Sequence, residues 1–177
     1  MEVILIRHTS VAVEKGTCYG QTDVPVAATF ESEARQVLER LQLYGSFDAV
    51  YCSPLTRARM LATYCGYDSP IIDERLKEIN MGDWEMQKYD EIKDANLQRW
   101  YDDYMNVAPT NGESFPMLYQ RMKGFLDELR TKGHRRVAIF AHGGILLCAG
   151  LYAGLFSWEE SMKHLAGYGG IERIELP

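Results

Sequence analysis

Three short polar clusters in this chain have the residue types needed to handle a phosphoryl group. They are Arg7-His8, Ser53-Pro54-Leu55-Thr56-Arg57 and His142-Gly143-Gly144, and each follows directly on an apolar run. A neutral histidine such as His8 can attack phosphorus in line and form an N-phosphoryl intermediate. Arg7 and Arg57 can each present a planar, permanently charged fork to phosphoryl oxygens. A protonated His142 would add a third positive donor. Such a set transfers a phosphoryl group by positioning and charge neutralisation. No carboxylate cluster stands beside the histidines at metal-ligand spacing, so neither a metal nor another cofactor is expected. The departing alkoxide needs a proton, and the water of the second step must lose one. One carboxylic acid with a raised pKa can do both. Glu78 is the candidate, although periodicity alone does not separate it from Glu74, Asp83 or Glu85.

The elements that must position these groups can be read from pattern. Val3 to Ile6 is a continuous, β-branched apolar run, which predicts a central strand buried on both faces. Residues 9–30 carry Gly16, Gly20 and Pro25 and read as a long loop, a type that is commonly functional. Glu31 to Leu43 has Ala34, Val37, Leu38 and Leu41 on one helical stripe. The same reading predicts a strand over Phe47–Cys52, a helix over Leu55–Cys65 and a short strand at Ile71-Ile72. Residues 76–86 read as irregular and Tyr89–Tyr104 as an aromatic, acidic helix. A helix over Ser114–Lys132 is ended by Gly133. A buried strand Val137–Ala141, helices over Ile145–Leu155 and Trp158–Leu165, and a final strand Ile171–Leu176 complete the pass. Strands alternating with helices predict an α/β fold with a mostly parallel sheet, and the Gly169-Gly170 turn before the final strand predicts that strand as an antiparallel edge. Ligands of such sheets bind outside the carboxyl ends of the strands, where all three polar clusters would meet.

Bulk properties narrow the partners. The chain has 177 residues, 46% of them hydrophobic and 25% charged, which suits a single domain, 1–177, with one substantial core. The net charge of −6 argues against nucleic acid as a partner. The apolar N-terminus is too short for a signal peptide, and no stretch approaches the roughly 20 apolar residues that span a bilayer. No membrane partner is therefore expected. Cys18, Cys52, Cys65 and Cys148 form no CxxC pair and read as reduced thiols, so the expected location is the cytoplasm. The expected partner is a small-molecule phosphomonoester, and pairing into a homodimer is compatible with the fold class. Plainer roles stand beside the functional ones. Glu113 and Ser114 can be a helix cap rather than ligand contacts. Asp23 can stabilise its own loop, Trp84 can be core, and Trp100 to Tyr104 can be packing or a lid.

Taken together, the motifs resemble the histidine phosphatase superfamily, the phosphoglycerate-mutase-like family. Arg7-His8, the segment ending at Arg57, Leu76-x-Glu78 with Gly82-Asp83-Trp84-Glu85, Gly112-Glu113-Ser114 and His142-Gly143-Gly144 occur in the family order. The resemblance implies a three-layer, phosphoglycerate-mutase-like sandwich. It implies phosphorylation of His8, phosphoryl oxygens held by Arg7, Arg57 and His142, and proton donation by Glu78. Thr9 stands where glycine usually follows the Arg-His pair, and Leu61 where threonine often follows the second arginine. The loop Arg7 to Val11 with Gly16 to Pro25 resembles the α-ribazole phosphatase branch of that family. That branch dephosphorylates α-ribazole 5′-phosphate in cobalamin nucleotide-loop assembly. The same loop suggests Thr9, Cys18, Tyr19 and Gln21, with Gly143 opposite, as substrate-binding positions. The competing expectations are a broad-specificity or phosphohistidine phosphatase, a phosphoglycerate mutase, and a catalytically inactive phosphate-binding module.

Overall fold

The computed structural model describes residues 1–177. Its strands are β1 (Glu2–Arg7), β2 (Ala49–Cys52), β3 (Ile71–Ile72), β4 (Arg136–Ala141) and β5 (Ile171–Glu175). They form one sheet in the order β3-β2-β4-β1-β5. The three internal pairings are parallel, and β5 runs antiparallel to β1 at the edge. The helices are α1 (Phe30–Leu41), α2 (Thr56–Tyr64), α3 (Asn96–Asp102), α4 (Phe115–Leu129) and α5 (Gly143–Tyr152).

Side chains alternate across a strand, so β1 and β4 feed two cores. Val3, Leu5, Val137, Ile139 and Ala141 pack against α4 and α5. Ile4, Ile6, Ala138 and Phe140 pack against α1 and α2 on the opposite face. The result is helices, sheet, helices, as the sequence pattern predicts. Register then brings the chemistry together. Arg7 is level with Ala141, and Cys52 with Phe140, so His8, Ser53 and His142 leave the same end of three adjacent strands.

The structure departs from the sequence reading in three helices. The helix expected over Tyr89–Tyr104 is confined to Asn96–Asp102. The Asp94 carboxylate accepts the Asn96 N–H and the Trp84 indole N–H, both at 2.8 Å, which caps the first turn and fixes the helix start at Asn96. The expected helix over Trp158–Leu165 is a single 3-10 turn, Ser161–His164. Helix α5 starts at Gly143 rather than Ile145, with His142 as its N-cap. The irregular segment after β3 is held by two 3-10 turns, Glu74–Leu76 and Gly82–Trp84. Gly82 is required there: its φ is 57°, and a Cβ would lie 2.1 Å from the Thr110 carbonyl oxygen. No helix of the chain is long and apolar enough to cross a membrane.

Candidate active site

His8 sits one residue beyond β1 and is buried. Its Nδ1 lies 2.7 Å from the carbonyl oxygen of Thr9, which can only accept, so Nδ1 carries the proton and Nε2 carries the lone pair. Arg57 Nε donates to that Nε2 over 3.3 Å. Burial, then the charge of Arg57, push the His8 pKa down to about 3, against a smaller raising effect of the Thr9 carbonyl. The imidazole is therefore neutral near pH 7, as a nucleophile must be.

His142 is fully buried, with its ring 5.1 Å from that of His8. Its Nε2 is 2.7 Å from Ser53 Oγ, which itself accepts the Leu55 N–H. With the Ser53 hydroxyl donating to Nε2, a neutral His142 carries its proton on Nδ1. Burial, reinforced by His8, Arg57 and Arg7, holds the His142 pKa well below that of a free histidine. Burial first, and then the positive charge around it, thus favour a neutral donor over the protonated His142 expected from sequence.

The two arginines are held differently. Arg57 is fully buried on the first turn of α2, with Nη2 donating to the Gly20 carbonyl at 2.6 Å and Nη1 to the Thr22 carbonyl at 2.9 Å. Its fork is therefore occupied by the 9–30 loop, and its Nε faces His8. Arg7 donates to the Ala166 carbonyl and lies over the Tyr168 ring at 4.3 Å. Four buried side-chain polar atoms lack a protein partner, and three belong here: Arg7 Nε, Thr9 Oγ1 and His142 Nδ1. Buried polar groups are rarely left unpaired, so this cluster fits an anionic ligand.

Glu78 is the acid that geometry selects. Its Oε2 accepts the Gly144 N–H at the start of α5 over 3.1 Å, and its Oε1 accepts its neighbour Ile79 N–H over 2.9 Å. Glycine at 144 leaves room for this carboxylate, since a Cβ would lie 2.3 Å from Glu78 Oε1 and force it to shift. Glu74 instead pairs with Lys77 on the surface, and Asp83 accepts from Asn111. Glu85 is structural. It accepts the backbone N–H groups of Gly20, Gln21, Thr22 and Met81 and the Thr22 hydroxyl. Burial raises its pKa, but these hydrogen bonds outweigh that and hold it below the usual carboxylate range.

Arg7, His8, Glu78 and Gly144 form the polar end of a cavity of about 370 Å³. Its walls are aromatic and apolar, including Tyr19, Tyr89, Trp100, Tyr104 and Phe115. Tyr19 thus lines the cavity as expected. Gln21 does not; its amide donates to the Glu78 carbonyl. Cys18 packs with Met81, Trp84 and Ile92 in a small core, so it also lies away from ligand space. Gly143 gives close approach to Arg7, whose Cζ would stand 3.1 Å from an added Cβ. Leu61 is buried core. Glu113 and Ser114 serve structure: Ser114 caps α4, and Glu113 pairs with Arg121 at 2.8 Å. Asp23 accepts the Thr56 N–H and hydroxyl, capping α2 rather than its own loop. Arg121 carries no sequence signal of a site residue. It donates to the carbonyls of Arg75, Lys77 and Glu78, fixing the segment that presents Glu78.

The chain is similar to known proteins in sequence and in fold. The adenosylcobalamin/alpha-ribazole phosphatase of Escherichia coli K12 is 32% identical over 155 residues, covering 82% of this chain and 75% of the relative. The crystal structure of the alpha-ribazole phosphatase from Shigella flexneri superposes with a TM-score of 0.88 at 30% identity, covering 100% of this chain and 91% of that one. A phosphoglycerate mutase from Thermus thermophilus has a TM-score of 0.78 at 27% identity, covering 100% of this chain and 94% of that one. The model of the histidine phosphatase superfamily, branch 1, matches residues 3–175. The chain belongs to the histidine phosphatase superfamily.

Proposed function

We propose that this chain is a phosphomonoesterase working through a phosphohistidine on His8, with α-ribazole 5′-phosphate as its substrate. His8 Nε2 attacks phosphorus in line; the N–P bond forms as the P–O bond to the leaving group breaks. Arg7, Arg57 and the His142 Nδ1–H stabilise the charge on the phosphoryl oxygens. The leaving oxygen takes its proton from the Glu78 carboxylic acid. Water then attacks phosphorus, gives a proton to the Glu78 carboxylate, and the N–P bond breaks to restore the His8 lone pair.

The observation that carries the substrate assignment is the aromatic cavity that opens directly on His8. A dimethylbenzimidazole nucleoside has an apolar, planar base of the kind that Tyr19, Tyr89 and Trp100 can stack on. The mutase reading suits this cavity less well. A phosphoglycerate brings a carboxylate next to its phosphate, and Arg7 is the sole cation among the cavity-lining residues. Phosphate release is to be measured on α-ribazole phosphate, simple sugar phosphates and 3-phosphoglycerate, with chelator present. The expected result is a clear kcat/KM preference for α-ribazole phosphate that is lost in His8→Ala. No preference rejects the substrate, and loss of activity with chelator rejects the mechanism.

A further inference from the structure

We infer that Tyr19 and Tyr168 form a clasp that sets the spacing of the two phosphoryl-binding arginines, which makes Tyr168 a positioning residue of the reaction. This rests on the phosphomonoesterase reading given above but not on the identity of its leaving group. Each tyrosine ring lies against a different arginine. The Tyr168 ring is 4.3 Å from Arg7 Cζ, and the Tyr19 ring is 5.5 Å from Arg57 Cζ. Both contacts fall within the range of cation–π attraction. The two phenol oxygens are 2.7 Å apart, a hydrogen bond spanning 149 residues of sequence.

That bond joins two segments with separate supports. Tyr19 belongs to the loop that Glu85 gathers up and that offers the Gly20 and Thr22 carbonyls to Arg57. Tyr168 sits in the turn leading into β5. There the Gly169 N–H donates to the His8 carbonyl, and the Arg7 N–H donates to the Gly170 carbonyl, both at 2.9 Å. The turn also carries the Ala166 carbonyl that holds Arg7. Gly169 has a φ of 65°, a conformation that lets the turn close tightly enough to bring Tyr168 within 5.6 Å of the His8 ring. Each arginine is therefore fixed to its own segment. Across the mouth of the site, the Tyr19–Tyr168 hydroxyl bond links those segments. Guanidinium groups that must both reach one phosphoryl group, Arg7 through its unpartnered Nε and Arg57 through the Nε that faces His8, need a fixed separation, and small misplacements are costly in rate.

The test is a double-mutant cycle with Tyr19→Phe, Tyr168→Phe and the double variant. Phenylalanine keeps both rings over their arginines and removes only the hydroxyl bond. Each single variant is expected to lose about fivefold in kcat/KM, in line with one net hydrogen bond. The double variant is expected to lose no more than either single one, since both remove the same bond. The loss should be equal for α-ribazole phosphate and p-nitrophenyl phosphate, and the inhibition constant of orthovanadate should rise by the same factor. Additive losses, unchanged kinetics, or a loss confined to α-ribazole phosphate would each overturn the clasp. Failure of α-ribazole phosphate as a substrate leaves the p-nitrophenyl phosphate and orthovanadate measurements to decide it.

Discussion

At the scale of single residues, the nucleophile is set by a neighbour. The Thr9 carbonyl accepts the His8 Nδ1–H and so turns the lone pair at Nε2 toward Arg57. Because burial and then Arg57 hold the His8 pKa near 3, its ring should show no titration in an NMR pH series from about pH 8 down to pH 5. A midpoint near that of a free histidine would show that the ring is not buried beside Arg57 in solution. His8, Arg57, Glu78 and His142 were legible in the sequence because each lies at or just beyond an apolar strand or inside a recognisable motif. Arg121 and Tyr168 were not, and the parts played by Ser53 and Glu85 inside their motifs were not either, because these roles run through contacts distant in sequence. The Arg121 guanidinium reaches carbonyls 43 to 46 residues away, a relation no periodicity encodes. Gln21 and Cys18 were misread for the same reason. Membership of the loop suggested ligand contact, whereas folding turns one to the Glu78 carbonyl and the other into a small core.

Among the elements, α5 joins packing to chemistry. Its first turn offers the Gly144 N–H to Glu78 and lets Arg7 approach Gly143. Gly144→Ala should displace Glu78, since the added Cβ meets both its carboxylate and Leu118, at 2.9 Å. A loss of about 100-fold in kcat is expected, as for other small misplacements of a catalytic group. Thermal unfolding beside steady-state kinetics will check this; an unchanged kcat in a folded variant would remove Glu78 from the proton-transfer role. Strands were more legible than helices. Buried strands announce themselves as uninterrupted apolar runs, and β1 and β4 each lie within one residue of the expected bounds. The 89–104 segment has aromatic residues that mimic a helical stripe. They form a cluster around Trp100 instead, with Tyr89 stacked on it at 6.0 Å and Trp84 edge-on at 5.7 Å.

For the whole molecule, concentrating histidines and arginines in one buried site couples stability to pH. His8 and His142 fold as neutral rings with depressed pKa values, whereas both protonate in the unfolded chain near pH 6.5. Their contribution is therefore fully present above pH 6.5 and is lost as pH falls below it, at about 1.4 kcal/mol per pH unit for each ring. Urea unfolding at pH 8, 6.5 and 5 should give the wild type a steeper acid loss than the His8→Asn/His142→Asn variant. Parallel curves would contradict the neutral assignment. The three-layer architecture itself was readable from strand–helix alternation, and the antiparallel β5 edge from the Gly-Gly turn before it. The most direct test of the central claim is the stereochemistry at phosphorus, using a substrate made chiral with sulfur and oxygen isotopes. Attack by His8 followed by attack by water inverts the centre twice, so net retention is predicted. Net inversion would mean that water attacks the substrate directly and that His8 is not the nucleophile.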